Sequence, residues 1–199
     1  MTHVLLFHSV LGVTPGLTAF ADDLRAGGHQ VDVPDLFDGR TFTSIEAGIA
    51  HVESLDWPAL QERGSRAADG LPTDLVYAGF SLGGMFAEQL ALTRSGARGA
   101  LLLESCAPPS AFDATWPDGV ALQVHGKEQD PFFADEGDLD AARELVADVG
   151  GELFLYPGKE HLFADRSVPW YDAGSAALMT ERVLAFLDGV RAGRDVDEQ

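Results

Sequence analysis

Leu75-Val76-Tyr77-Ala78-Gly79-Phe80-Ser81-Leu82-Gly83-Gly84-Met85-Phe86-Ala87-Glu88-Gln89-Leu90-Ala91-Leu92 is the stretch whose reading decides the fold. Its first four residues are an uninterrupted apolar run and predict a buried strand, while residues 85–92 predict a helix. A strand that turns this sharply into a helix holds its turn residue in strained backbone and leaves that side chain standing at the sheet's edge. Small residues two positions to either side let the strand and helix backbones approach. This is the G-x-S-x-G nucleophile elbow, with Ser81 as the exposed hydroxyl.

Working outward, residues 3–8 read as a first buried strand and residues 9–16 as a turn-rich loop. A helix follows over 17–26, then a strand over 30–33 and a loop over 34–40. Thr43 or Ser44 can cap a helix running to residue 54, and Trp57-Pro58 opens a short helix to residue 68. Beyond the elbow helix come a strand over 99–104, an irregular stretch over 105–119 and a strand over 120–125. An acidic helix over 139–149, a strand over 152–156 and a helix over 173–190 complete the pattern. Residues 191–199 form a polar tail expected to be disordered. Strands and helices alternate about six times without repeats or linkers. The expectation is one domain over 1–190: an open, mostly parallel, doubly wound α/β sheet with helices on both faces. Such sheets bind ligands beyond the carboxyl ends of their strands.

A serine hydroxyl attacks a carbonyl only when a base takes its proton, and that base needs a carboxylate to orient it. On this fold the expected order along the chain is serine, acid, histidine. Gly126-Lys127-Glu128-Gln129-Asp130 follows the strand over 120–125 and offers Asp130 as the acid, with Glu128 and Asp135 as rivals. Pro157-Gly158-Lys159-Glu160-His161-Leu162-Phe163 follows the last strand and offers His161 as the base. His8 and His125, also at strand ends, are its rivals among six histidines and are read as lining or supporting the site. An oxyanion needs two preorganised N–H donors. Leu82 supplies one, and the loop after the first strand supplies the other through Val10, with Leu11 as alternate. Phe37, Phe80, Trp116, Phe133 and Phe163 are read as facing a small apolar pocket, with Arg40 as a candidate clamp for a substrate carboxylate.

Composition bounds the partners. The chain has 199 residues, 46% of them hydrophobic and 23% charged, which is ordinary for a soluble globular domain. A formal net charge of −19 disfavours nucleic acid and anionic membrane surfaces. No apolar run reaches the length of a membrane span, and the start carries no basic leader, so a cytoplasmic protein is expected. The single cysteine, Cys106, excludes an internal disulfide and a cysteine-rich metal site, and it reads as a small core residue. The only lysines, Lys127 and Lys159, fall beside the candidate acid and base, a coincidence the sequence gives no reason to read further.

These residues resemble the dienelactone hydrolase family of α/β-hydrolases over residues 3–187. The likeness rests on Gly12-Val13, Pro34-Asp35-Leu36, the elbow, the loop from Gly126 to Asp130, and Tyr156-Pro157-Gly158 with His161 and Phe163. The resemblance implies an α/β-hydrolase fold, Ser81, Asp130 and His161 as nucleophile, acid and base, and Val10 and Leu82 as oxyanion amides. Three departures stand out. Ser81 replaces the family's usual cysteine, Ser9 stands where a glutamate contacts that thiol, and Asp165, with Arg166 beside it, stands where an arginine is usual. By this resemblance the chain is also expected to be without the family's N-terminal extension and without a lid domain. The expected activity is hydrolysis of a small carboxylic ester or lactone through an acyl-enzyme, without metal or organic cofactor, by a monomer or homodimer. An acyltransferase or peptidase using the same triad, a non-catalytic small-molecule-binding protein on this fold, and a flavodoxin-like binding domain are the alternatives.

Overall fold

The computed structural model describes the backbone of residues 1–197 and the side chains of residues 1–191. The elements, in chain order, are β1 (His3–Phe7), α1 (Pro15–Ala26), β2 (Gln30–Asp32), α2 (Ile45–Ser54), α3 (Trp57–Arg66), β3 (Leu75–Phe80) and α4 (Leu82–Thr93). They continue with β4 (Gly99–Leu103), β5 (Ala121–Lys127), α5 (Pro131–Ala134), α6 (Asp138–Val149), β6 (Glu152–Tyr156) and α7 (Ala173–Asp197). The six strands form one sheet in the order β2-β1-β3-β4-β5-β6, and every pairing among them is parallel. The doubly wound sheet expected from the sequence is therefore present.

Alternate strand residues feed two cores. Val4, Leu6, Val76, Ala78, Leu101 and Leu103 pack with Leu17, Phe20 and Leu24 of α1 and Met179, Val183 and Leu187 of α7. Leu5, Phe7, Tyr77, Ala100, Leu102 and Val124 pack on the other face with Leu60 of α3, Phe86 and Leu90 of α4 and Leu145 of α6. The period-2 alternation of each strand thus decides which helices it meets.

The chain reverses its direction of winding at β1, which has β2 on one side and β3 on the other. The carboxyl ends of β1 and β3 therefore lie side by side, and the elbow sits at this switch point. Gly83, in the first turn of α4, packs so closely there that a side-chain carbon would run into the carbonyl oxygens of Phe7 and His8. Gly79 lies as close to the backbone of Gly83.

Helix ends follow their caps. Thr14 accepts a hydrogen bond from the Leu17 N–H and Pro15 takes the first helical position, so α1 starts two residues before the expected 17. Ser44 caps α2 through the Ala47 N–H. A four-residue 3-10 turn, Pro109–Phe112, interrupts the irregular stretch over 105–119. That stretch is tied down at its start: the Ala107 N–H donates to Glu88 and the Cys106 N–H to Asp138. Cys106 is buried in the second core, where burial pushes its thiol up, away from the thiolate form. At the other end, α7 continues past residue 190 to Asp197, where a tail was expected. No proline stops it, and Arg191 pairs with Asp188 one turn back. Residues 198–199 of the expected tail lie outside the described residues. No helix among the described residues is long and apolar enough to cross a membrane.

One ion cluster locks the loops that carry the candidate acid and base. Lys127, the last residue of β5, is 2% exposed, and its ammonium donates to Glu160 and to Asp172, each at 2.9 Å. Glu160 precedes His161, and Asp172 accepts the first N–H groups of α7 from Gly174 and Ser175. Lys127 is therefore a structural cation, which corrects the reading of its position as coincidence; Lys159 is exposed. The ammonium bond, with those from Ser175, holds the Asp172 carboxyl down to about 2.

Two stability changes follow. Ala at an exposed helical glycine gains about 1 kcal/mol, but Gly83→Ala drives its methyl into two backbone carbonyls, and a net loss of about 2 kcal/mol is expected in urea unfolding. Lys127→Met should lower Tm by about 5 °C at neutral pH. A depressed carboxyl stabilises the fold above its unfolded value and loses that contribution as pH falls. The Tm gap between wild type and Lys127→Met should therefore hold above about pH 5 and narrow between about pH 4 and pH 2.

Candidate active site

Ser81 stands between β3 and α4 with φ 51° and ψ −115°, a conformation that non-glycine residues avoid. Its own N–H donates to the Leu103 carbonyl at the end of β4 at 2.8 Å, and its carbonyl accepts from the Gly84 N–H at 2.7 Å. Both backbone groups are thus fixed, and the half-buried side chain projects from the carboxyl edge of the sheet.

The structure brings Ser81, Asp130 and His161 together. His161 Nε2 lies 2.8 Å from Ser81 Oγ and its Nδ1 lies 2.6 Å from Asp130 Oδ2. A carboxylate only accepts, so Nδ1 carries the proton and Nε2 is free to accept from the serine hydroxyl. Asp130 is fully buried; its other oxygen accepts from the Phe132 N–H and caps α5. Trp170 Nε1–H donates to the His161 carbonyl at 2.6 Å, and the Phe132 ring packs against the imidazole at 4.9 Å. Burial works to lower the imidazole pKa, but the Asp130 hydrogen bond and the charges of Glu104, Asp130 and Asp138 outweigh it and raise it.

The rivals lie elsewhere. Glu128 and Asp135 are exposed. His8 accepts from the Leu36 N–H and donates to the Ser9 carbonyl, which pins the β1 and β2 loops together. His125 is bonded to Tyr156 and Gln123, and burial with the nearby Arg182 charge pushes it down to about 3. In the loop after β1, the Leu11 N–H is taken by Ser9 Oγ and the Gly12 N–H by the Ser9 carbonyl. That removes Leu11 as an oxyanion donor. Among the described residues, no partner occupies the N–H groups of Val10 or Leu82.

The aromatic residues need correction. Phe133 is fully buried on α5 with its ring over Gly126, and Phe163 is fully buried between Tyr156 and Lys127. Both are packing residues. Phe37 is 2% exposed and wedged among His8, Phe42 and His51. Phe80 is the last residue of β3 and packs edge-on against Phe20. Half-buried Trp116 donates to the Val120 carbonyl. Arg40 is exposed on the rim of a cleft of about 390 Å³ between the β2 loop, α2 and α3, which Ser81 does not line. Phe37 lines that cleft with Arg40, whereas Phe80 lines a separate small pocket with Ser9, Leu162 and Asp165.

The residues at the family's departures are all engaged. Ser9 Oγ accepts from Leu11, and Asp165 accepts from Thr14 and Ser167 and so ties the base loop to the start of α1. Arg166 is paired with Asp23 of α1. The sequence reading missed Glu104, which follows β4 and is 2% exposed. One donor atom each of Glu104, Asp130 and His161 lies within 4.8 Å of the others. These residue types also ligate metals, but a cation among them would have to break the 2.6 Å His161–Asp130 hydrogen bond.

The model of the dienelactone hydrolase family matches residues 1–190. No curated protein matches the chain. Among solved structures, a dienelactone hydrolase-like promiscuous phosphotriesterase from metagenomic libraries is 17% identical with a TM-score of 0.71, covering 96% of this chain and 87% of that one. A dienelactone hydrolase from Anabaena variabilis is 17% identical with a TM-score of 0.61, covering 93% and 84%. A Pyrobaculum calidifontis esterase is 16% identical with a TM-score of 0.64, covering 96% and 77%. At these identities the structural likeness speaks for the fold, and the family match carries the rest. The chain belongs to the dienelactone hydrolase family and is a carboxylic ester hydrolase-like enzyme of the α/β-hydrolase fold.

Proposed function

We propose that the protein hydrolyses small carboxylic esters or lactones through an acyl-enzyme on Ser81. The observation that carries this reading is the unbroken hydrogen-bonded line Asp130–His161–Ser81, with the hydroxyl on a strained elbow. His161 Nε2 takes the Ser81 proton as Oγ attacks the carbonyl carbon. The N–H groups of Val10 and Leu82 receive the oxyanion, and Asp130 stabilises the imidazolium through Nδ1. The C–O bond to the leaving alcohol breaks as His161 returns the proton to it. Water then attacks the acyl carbon by the same route and frees Ser81. These steps use only the chain's own groups.

Two features favour an uncharged substrate over a carboxylated one. The arginine nearest the family's clamp position, Arg166, is engaged by Asp23, and the net charge of −19 repels anions.

Ser81→Ala and His161→Ala should each lower kcat for p-nitrophenyl acetate by at least about 10⁴-fold. Intact-mass analysis with a fluorophosphonate should show one label on wild type and none on either variant; undiminished hydrolysis by Ser81→Ala would overturn the assignment. Because a base must be neutral and its pKa is raised, kcat/KM should fall on the acid side with a midpoint above the ordinary histidine value of about 6.5.

A further inference from the structure

Glu104 is an expensive residue to keep where it is. It sits at the end of β4 with φ 60°, in left-handed backbone that glutamate rarely adopts. Its N–H donates to the His125 carbonyl at 2.6 Å, which holds it there. Its carboxyl is buried; Oε1 accepts a long 3.4 Å bond from the Phe163 N–H, the Leu162 N–H also faces the carboxyl, and Oε2 has no hydrogen-bond partner among the described residues. A buried carboxyl oxygen without a partner is destabilising, so a merely structural role would be served better by an apolar side chain. Yet this carboxyl is aimed at the triad, with an oxygen within 4.8 Å of a carboxylate oxygen of Asp130 and of a ring nitrogen of His161.

We propose that Glu104 is a positioning residue, a second carboxylate that shares with Asp130 the stabilisation of the His161 imidazolium. When His161 takes the serine proton, a positive charge forms on a ring that is 5% exposed. Asp130 meets it by a hydrogen bond and Glu104 by charge across low-dielectric protein, where a carboxylate at this range has a large effect. Five groups face His161 and Glu104. Ser81 and Asp130 bond the ring, Asp138 at the start of α6 adds negative charge to it, and the Leu162 and Phe163 N–H groups face Glu104. Before proton transfer, two ionised carboxyls beside a neutral ring would repel each other. Consistently, burial pushes Glu104 up to about 7, with His161 opposing the rise and Asp130 adding to it, and the protons of Glu104 and His161 are expected to titrate as a coupled pair.

Glu104→Gln separates charge from shape, since its carbonyl oxygen can still accept from Phe163. With p-nitrophenyl acetate at pH 8.5, kcat should fall about tenfold with KM unchanged. The acid midpoint of kcat/KM should move to lower pH, because the imidazole loses a neighbouring negative charge. Asp130→Asn should retain more activity with Glu104 present than in the Glu104→Gln background. An unchanged kcat and acid midpoint in a folded Glu104→Gln protein would overturn the proposal. Should that variant not fold, NMR titration of the His161 ring in the otherwise wild-type chain decides it. Two coupled steps support the role of Glu104, and one simple step overturns it. The proposal rests on the Ser81 reading, but the two fail differently: activity that survives Ser81→Ala sinks both, whereas activity lost in Ser81→Ala and untouched in Glu104→Gln sinks only this one.

Discussion

Ser81 cannot relax. Its φ of 51° and ψ of −115° cost on the order of 1–3 kcal/mol, and such strain persists only where the surroundings over-determine it. Here the over-determination comes from packing without side chains. Gly79 and Gly83 let the end of β3, the first turn of α4 and the end of β1 meet backbone to backbone. That contact sets where the hydroxyl points, and it also sets where α4 begins. It brings the Leu82 N–H beside the loop that carries Val10. The placement of the candidate nucleophile and its candidate oxyanion donors therefore follows from one close approach, and the parallel strand order around β1 makes that approach possible.

The candidate base and acid come from a different part of the chain and need their own anchors. Asp130 is held by capping α5, and His161 is held through its carbonyl by Trp170. Lys127 then ties the residue before His161 to the start of α7. A buried ammonium with two carboxylates is weak evidence for stability, since desolvation offsets most of the attraction. Its value here is geometric. Loops that must hold an imidazole 2.8 Å from a serine oxygen cannot drift, and directional charge-assisted bonds resist drift better than apolar contacts do.

What the sequence made legible follows from topology. A parallel sheet sends every strand's carboxyl end to one edge, so the residues after β3, β5 and β6 had to converge, whatever their side chains did. That is why Ser81, Asp130 and His161 could be named from order and punctuation alone. The aromatic residues could not be assigned in this way. Whether Phe133 and Phe163 turn toward a substrate or into the core depends on side-chain rotamers and on a neighbour such as Gly126, whose missing side chain makes room for the Phe133 ring. Nothing in local sequence records that pairing. Lys127 hid for a similar reason: its partners lie 33 and 45 residues away. Glu104 read as the last residue of an apolar strand, and only the assembled site reveals that its carboxyl faces a histidine.

Backbone strain in this molecule is not scattered. Among the described residues, five non-glycine residues have positive φ: Asp38, Ser81, Glu104, Asp113 and Leu162. Asp38 and Asp113 are exposed aspartates, a residue type that tolerates the left-handed region in turns. The other three lack that excuse, and all three surround the candidate triad: Ser81 is the candidate nucleophile, Leu162 follows the candidate base His161, and Glu104 lies close to His161 and Asp130. Each also sits at or beyond a strand's carboxyl end, where a chain leaving the sheet must turn and its ladder hydrogen bonds run out. Strain at such points re-aims a side chain across the sheet edge instead of along it. The energy is supplied by two continuous cores on either side of the sheet, so the fold can hold three costly conformations in one place without loosening elsewhere. Selection for stability alone would have relieved at least one of them with glycine. Their clustering around one imidazole is the physical mark of a site shaped for chemistry.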